Sequence, residues 1–361
     1  MKIKDIQVGT IDVPLKKAFT TALRTAGRIE DVVVRINTDT GHAGYGEAAP
    51  TAVITGDTKG SIAWAIENVI AGQLLGLEIE NIEEIMRRLN QCLMNNTSAK
   101  AAVDMAIYDL FGQRHQTPLF QLWGGFRRKL VTNITISVDE PETMALDSLE
   151  AVKLGYDILK IKVGKNPRQD MERLKAIRKM VGNDITLRID ANQGWKPKEA
   201  VAVIRKLEDE GLNIELVEQP VAAYDLEGLK YVTDNVSIPV MADESVFSPR
   251  QALKIMQMRA ADLLNIKLMK TGGFYNALKI CALAETYGVE CMMGCMLESK
   301  ISATAAAHLA AAKHIITRVD LDGPALCRED PVEGGAVFDG PQIMVGDGPG
   351  LGFTQIRGVV F

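Results

Sequence analysis

Eight short β-rich runs alternate with helical patterns along most of this chain, at residues 133–138, 157–163, 185–190, 214–218, 238–242, 262–267, 289–293 and 315–321. Their ends recur every ~24–28 residues, about the length of one βα unit, which calls for a parallel sheet with helical crossovers. A doubly wound open sheet is the alternative, but eight units suit a closed ring. The eighth run leads into Gly323-Pro324 with no clear helix after it. The expected architecture is therefore a (β/α)8-type barrel, modified to (β/α)7β.

The rest of the chain reads as a second unit. Ile3, Ile6, Val8 and Ile11 alternate with polar residues, and Val32-Val33-Val34-Arg35-Ile36 leads into a polar turn, Asn37 to Gly41. This is the pattern of antiparallel strands. Residues 15–29 between them read as a polar loop with Arg24 and Arg28, and residues 54–58 as a second loop. Residues 61–112 carry 3.6-residue apolar spacing, with Ser98 as the expected N-cap of a helix through Ala102, Met105, Ala106 and Leu110. The Gly-rich, strand-like tail at 325–361 is expected to pair back with the N-terminal region. The expected division is an α+β capping domain at 1–125, completed by 325–361, and a barrel domain at 126–324.

Composition removes several classes of function. The chain is 47% hydrophobic over 361 residues, enough for a large core without disulfide or metal staples. No run approaches the ~18 uncharged apolar residues of a membrane span. The start, Met1-Lys2-Ile3-Lys4-Asp5, has no apolar stretch of signal-peptide length, so a cytoplasmic location is expected, with no membrane partner. Lys and Arg number 41 against 46 acids, a balance that offers no field for nucleic acid. Cys291 and Cys295 lack a second Cys/His pair, and the four histidines do not cluster, so no zinc site is expected. The stretch Gly346 to Gly352 opens no helix, and Lys270-Thr271-Gly272-Gly273 lacks a phosphate-loop frame. Chemistry must rest on carboxylates and lysines.

Those residues stand at the strand ends, where a barrel of this type builds its site. Lys160 and Lys162 end the second run, Asp190 the third, Glu218 the fourth, Asp243 the fifth, Lys267 the sixth, and Asp320 and Asp322 the eighth. Asp190, Glu218 and Asp243 come from adjacent strands and converge on one wall. Three facing carboxylates repel one another, and a hard divalent cation such as Mg²⁺ relieves that repulsion. Lys160 and Lys162 point to the same face, and two neighbouring ammoniums beside a metal favour loss of a proton from one. Lys267 lies four strands on, across the ring. A substrate carboxylate on the metal would hold its α-carbon between two lysines. One lysine would remove the α-proton and the other return one to the opposite face, while the metal and Lys160 stabilise the enediolate-like anion.

These residues resemble the enolase superfamily, muconate lactonising subgroup, in which lysine bases work beside Mg²⁺. The likeness is carried by Lys160-Ile161-Lys162, Asp190-Ala191-Asn192, Val217-Glu218-Gln219-Pro220, Ala242-Asp243-Glu244-Ser245 and Asn265-Ile266-Lys267, with Leu122-Trp123-Gly124-Gly125 in the capping region. It spans essentially the whole chain. Within the subgroup, Asp320-Leu321-Asp322-Gly323 resembles the dipeptide epimerases, those acting on Ala-Glu peptides in particular. The resemblance implies an isomerase with one Mg²⁺ per subunit. Lys162 and Lys267 would act as bases on the α-carbon of the second residue, and Asp320 and Asp322 would hold the peptide ammonium. Arg24 would bind the side-chain carboxylate of that residue, and Glu298 would line the site. The loops at 15–29 and 54–58 would close over the substrate. A homo-oligomer is expected. The other members to weigh are N-acylamino acid racemase, o-succinylbenzoate synthase and muconate cycloisomerase; muconate and succinylbenzoate offer no cation for an acidic pair.

Overall fold

The computed structural model describes all residues 1–361. Sixteen strands and fourteen α-helices follow one another in the expected order. Strands β1 (Ile3–Thr20), β2 (Thr25–Thr38) and β3 (Ala43–Ala48) form an antiparallel sheet. Strand β4 (Lys129–Val131) precedes the barrel. The eight runs become β5 (Ile134–Ile136), β6 (Ile158–Lys162), β7 (Thr186–Asp190), β8 (Ile214–Glu218), β9 (Val240–Ala242), β10 (Leu263–Ile266), β11 (Cys291–Gly294) and β12 (Ile316–Asp320). They pair in parallel in chain order. The ring is brought together where Asn133 N donates to Val319 O at 3.4 Å and Leu321 N to Thr132 Oγ1 at 2.8 Å. The tail supplies β13 (Val332–Gly334), β14 (Val337–Asp339), β15 (Gln342–Met344) and β16 (Phe353–Ile356). No helix is long and apolar enough to cross a membrane.

Alternation sets the barrel walls. In β6, Leu159 and Ile161 turn outward to the helices, which leaves Lys160 and Lys162 inside. Below the site the interior is filled by Leu216, Met241, Leu263 and Met292, a small apolar cluster of its own. The register matches Lys162 with Asp190 and Asp190 with Glu218, while Glu218 pairs with Met241, so Asp243 stands two residues further along, past the end of β9.

The helix Thr97–Arg114 is the centre of the N-terminal unit, buried along nearly its whole length. Gly44 and Gly46 of β3 let the sheet lie directly on it: a Cβ at either would collide with Ala106 O or Ala102 O. The helix also ties the cap to the rest. Asp104 accepts from Phe274 N at 2.6 Å and Tyr275 N at 3.2 Å, and Asp109 from Tyr45 N at 3.1 Å and Leu351 N at 2.8 Å.

Two expectations need correction, and a third is met in part. Residues 15–29 are not a loop: β1 and β2 continue as a hairpin to Thr20↔Thr25, with the register broken between Pro14 and Phe19 and a turn at 21–24. Backbone pairing holds this end, where sustained alternation is absent although Phe19 and Ala26 pack inward. Ser98 does not cap its helix. It lies inside, and Asp57 from the distant 54–58 segment accepts from Ser98 N at 3.0 Å. The tail does pair back with the N-terminal sheet, at the isolated bridges Thr10↔Val360 and Leu15↔Cys327 and through Arg328 N to Pro14 O at 2.9 Å, but its strands pair with each other and with β4.

Candidate active site

Parallel strands of equal register deliver their last side chains to one rim, and here those side chains are charged. Asp190, Glu218 and Asp243 are fully buried. Lys162 Nζ lies 2.6 Å from Asp190 Oδ2, and Lys267 Nζ 2.7 Å from Asp243 Oδ2. Lys160 stands at the centre, 2.7 Å from Glu218 Oε2, 2.8 Å from Asp320 Oδ2 and 3.2 Å from Asp190 Oδ2. It thus joins the carboxylate wall to the acidic pair on the eighth strand. Asn133 Nδ2 donates to Asp320 Oδ1 at 2.6 Å, and Asp322 accepts from Thr135 N at 2.6 Å.

The backbone is strained where these groups emerge. Asn192, Gln193 and Gln219 have φ of 42°, 68° and 35°, in the left-handed region that side chains avoid. Bonds from neighbouring strands hold them there. Gln219 Oε1 accepts from Asp243 N at 2.8 Å and Ser245 N at 3.1 Å, so the end of β8 fixes the end of β9. Asn192 Nδ2 bridges Asp190 Oδ2 and Glu244 Oε1, and Asn265 Nδ2 donates to Glu218 Oε1 at 2.8 Å.

Electrostatics separate the carboxyls. Burial would raise Asp190, but Lys162 and Lys160 outweigh it and hold it down at about 2. Asp243 is lowered as well, by Lys267 and Lys270 against burial. Glu218 goes the other way, raised to about 7 by burial and by Asp190. Lys160 comes close to Glu218 Oε2 but not along a hydrogen-bonding direction, and this buried oxygen has no donor. A buried all-oxygen set with one orphaned carboxylate oxygen fits a hard divalent cation. Of the pair Lys160 and Lys162, in which one depressed lysine is expected beside a metal, Lys160 is not depressed, and neither is Lys267. Burial pulls both down, but the facing carboxylates, Asp320 and Asp243 foremost, outweigh it and both stand raised.

One cavity opens onto this rim. Lys160, Lys162, Lys267, Asn192, Asp320 and Asp322 line its floor. Phe19, Thr21, Leu23 and Arg24 of the hairpin end, with Val53 and Ile54, form its outer wall. Arg24 is largely buried there, its charge disfavoured by burial and eased by Asp31. Glu298 is not brought to the cavity. It turns inward, accepts from Met296 N at 2.6 Å and bonds Ser302 Oγ, and leaves Met296 and Leu297 to face the space. Three further groups escaped the sequence reading. Glu244 adjoins Asp243 and is raised to about 8 by burial and by Asp243. Lys270 is wholly buried against Asp243. Glu47 of β3 accepts from Ser299 N at 2.9 Å, Ser299 Oγ at 3.0 Å and Ser302 N at 2.8 Å. Its only sequence signal is a carboxylate in an otherwise apolar strand.

Residues 5–124 match the family described as mandelate racemase/muconate lactonizing enzyme, N-terminal domain, and residues 144–357 match enolase C-terminal domain-like. An L-Ala-D/L-Glu epimerase of Clostridium acetobutylicum is 62% identical over 357 residues, 99% of this chain and 100% of that protein. The substrate-liganded L-Ala-D/L-Glu epimerase from Bacillus subtilis superposes with a TM-score of 0.97 at 52% identity, over 100% of both chains. A dipeptide epimerase from Enterococcus faecalis, complexed with Mg and L-Leu-L-Tyr, gives 0.95 at 47% identity, over 98% of this chain and 100% of the other.

Proposed function

The chain belongs to the mandelate racemase/muconate lactonizing enzyme family of the enolase superfamily, and on that premise we propose that it is a Mg²⁺-dependent dipeptide epimerase of the L-Ala-D/L-Glu type. It is an isomerase that inverts the α-carbon of the second residue. The observation that carries this is the single cavity holding Lys162 and Lys267 beside the carboxylate wall together with Asp320 and Asp322.

Asp190, Glu218 and Asp243 would hold the Mg²⁺, which when bound supplies positive charge to the substrate carboxylate and so acidifies the α-proton. Lys162 and Lys267, from the second and sixth strands, meet the α-carbon from its two faces. The Nζ of one takes the α-proton, and the Nζ of the other returns a proton to the opposite face. Lys160, kept protonated by Asp320 and Glu218, stays a fixed positive charge beside the developing anion. Asp320 and Asp322 take the peptide's ammonium, whose charge offsets their mutual repulsion. Arg24 takes the side-chain carboxylate of the second residue. Glu298 contributes by fixing Met296 in the cavity wall. The hairpin end and residues 53–54 exclude water from the carbanion.

The functional division proposed is a cap of residues 1–125 with 325–361, and a barrel of 126–324. Five free cysteines suit a reducing compartment such as the cytoplasm. Exposed Val131, Val337 and Met344, on one three-stranded sheet, support a homo-oligomer.

The test incubates the protein with Mg²⁺ and a dipeptide library in D₂O. Deuterium should enter the second α-carbon of L-Ala-L-Glu and be lost on chelation. Exchange in N-succinylamino acids and in no dipeptide would overturn the reading.

A further inference from the structure

Lys270 is among the largest wholly buried side chains of the molecule, and the mechanism above gives it no task. It sits in the short helix Leu268–Thr271 behind the sixth strand and lines neither the substrate cavity nor its mouth. An ammonium carries three protons, and three acceptors meet this one: Asp243 Oδ1 at 2.5 Å, Asp243 O at 2.5 Å and Asn265 O at 2.9 Å. Side chain and main chain of one residue are thus gripped by one cation. The same cation is tied to Asn265, whose side chain holds Glu218 Oε1.

This grip divides the two oxygens of Asp243. Oδ1 is committed to Lys270, while Oδ2 faces Lys267 at 2.7 Å. Without Lys270, Oδ1 would be a buried carboxylate oxygen with no donor, and the carboxylate plane would be free to rotate onto Lys267. We propose that Lys270 is a positioning residue that locks the plane of Asp243, and through Asn265 the stance of Glu218, so that the carboxylate wall is shaped for a divalent cation before the cation arrives. This rests on the reading of Asp190, Glu218 and Asp243 as the metal-holding set. Its charge also repels a cation, but the orienting effect prevails in the proposal, because removing it frees two of three donors at once.

The experiment titrates Mn²⁺, as a spectroscopic substitute for Mg²⁺, into the unsubstituted protein and Lys270→Met, with free Mn²⁺ read by electron paramagnetic resonance. The dissociation constant should rise ~10- to 100-fold, as for other groups that orient metal ligands. The Mn²⁺ concentration for half-maximal α-deuterium exchange should rise in step, while the dipeptide KM at saturating Mn²⁺ stays unchanged. An unchanged or lower Mn²⁺ dissociation constant overturns the proposal, whatever the thermal stability. Should Lys270→Met not fold, Lys270→Gln carries the same readout, since it removes the charge but keeps a polar donor at the site. Failure of the unsubstituted protein to bind Mn²⁺ would instead overturn the metal-site reading itself.

Discussion

Asp190, Glu218 and Asp243 share a rim with Lys160, Lys162 and Lys267, and a lysine ammonium stands within 3 Å of each carboxylate. The two outer lysines have separable roles. Lys162→Ala and Lys267→Ala should each lower epimerisation by at least about 100- to 10,000-fold. Each variant should still exchange the α-proton of one stereoisomer, because one face keeps its base. Full turnover in either, followed by chiral chromatography of the products, would break the two-base scheme. A second prediction concerns a residue far from the chemistry. Buried His308 accepts from Phe120 N at Nδ1, 3.2 Å, and so is held neutral. Burial lowers it from 6.5 to about 3. Between those values the unfolded chain takes up a proton that the folded chain refuses, so stability falls as pH falls. The slope from this one group is on the order of 1 kcal/mol per pH unit. In His308→Asn, which can still accept from Phe120 N, urea unfolding should lose less stability between pH 6.5 and 4. An equal loss would remove His308 as the cause.

At the scale of elements, strand β3 rests on the helix Thr97–Arg114 through the bare backbone of Gly44 and Gly46. Gly46→Ala must push strand and helix apart, at a cost of ~1–3 kcal/mol or more. Chemical denaturation should show this loss, while Gly27→Ala, where added atoms meet nothing, should not. The barrel was legible in the sequence because each βα unit repeats a local pattern. The rim was legible because a charge at the end of an apolar run is conspicuous. What escaped depends on partners remote in sequence. Asp57 caps a helix that begins 40 residues later, and nothing near Asp57 or Ser98 announces it. The hairpin beyond Pro14 is held by main-chain bonds among polar residues, so its composition reads as loop. Glu298 looked like a cavity residue because its neighbours are, yet Ser302, one helical turn on, draws it inward. Lys270 shows in sequence only the outline of a phosphate loop, since its partner Asp243 stands 27 residues away past another strand.

For the molecule as a whole, the rim gathers carboxylates that a bound divalent cation would relieve. Binding to the folded state alone adds ~2.7 kcal/mol at a hundredfold excess over the dissociation constant. Thermal unfolding should therefore shift upward by ~2–4 °C with saturating Mg²⁺ and fall back on chelation. No shift, in a protein that still exchanges the α-proton, would mean that the metal arrives only with substrate. Cap and barrel are latched where Glu47 receives the start of the helix Lys300–Ala312, across 252 residues from Ser299 and 255 from Ser302. On a ribosome, the strand that carries Glu47 is made among the first and its donors at 299–302 only late. During most of synthesis that carboxylate has only water to answer it. The cap must wait, unlatched, until the seventh turn of the barrel has been built, and this ranks the latch among the slowest contacts to form.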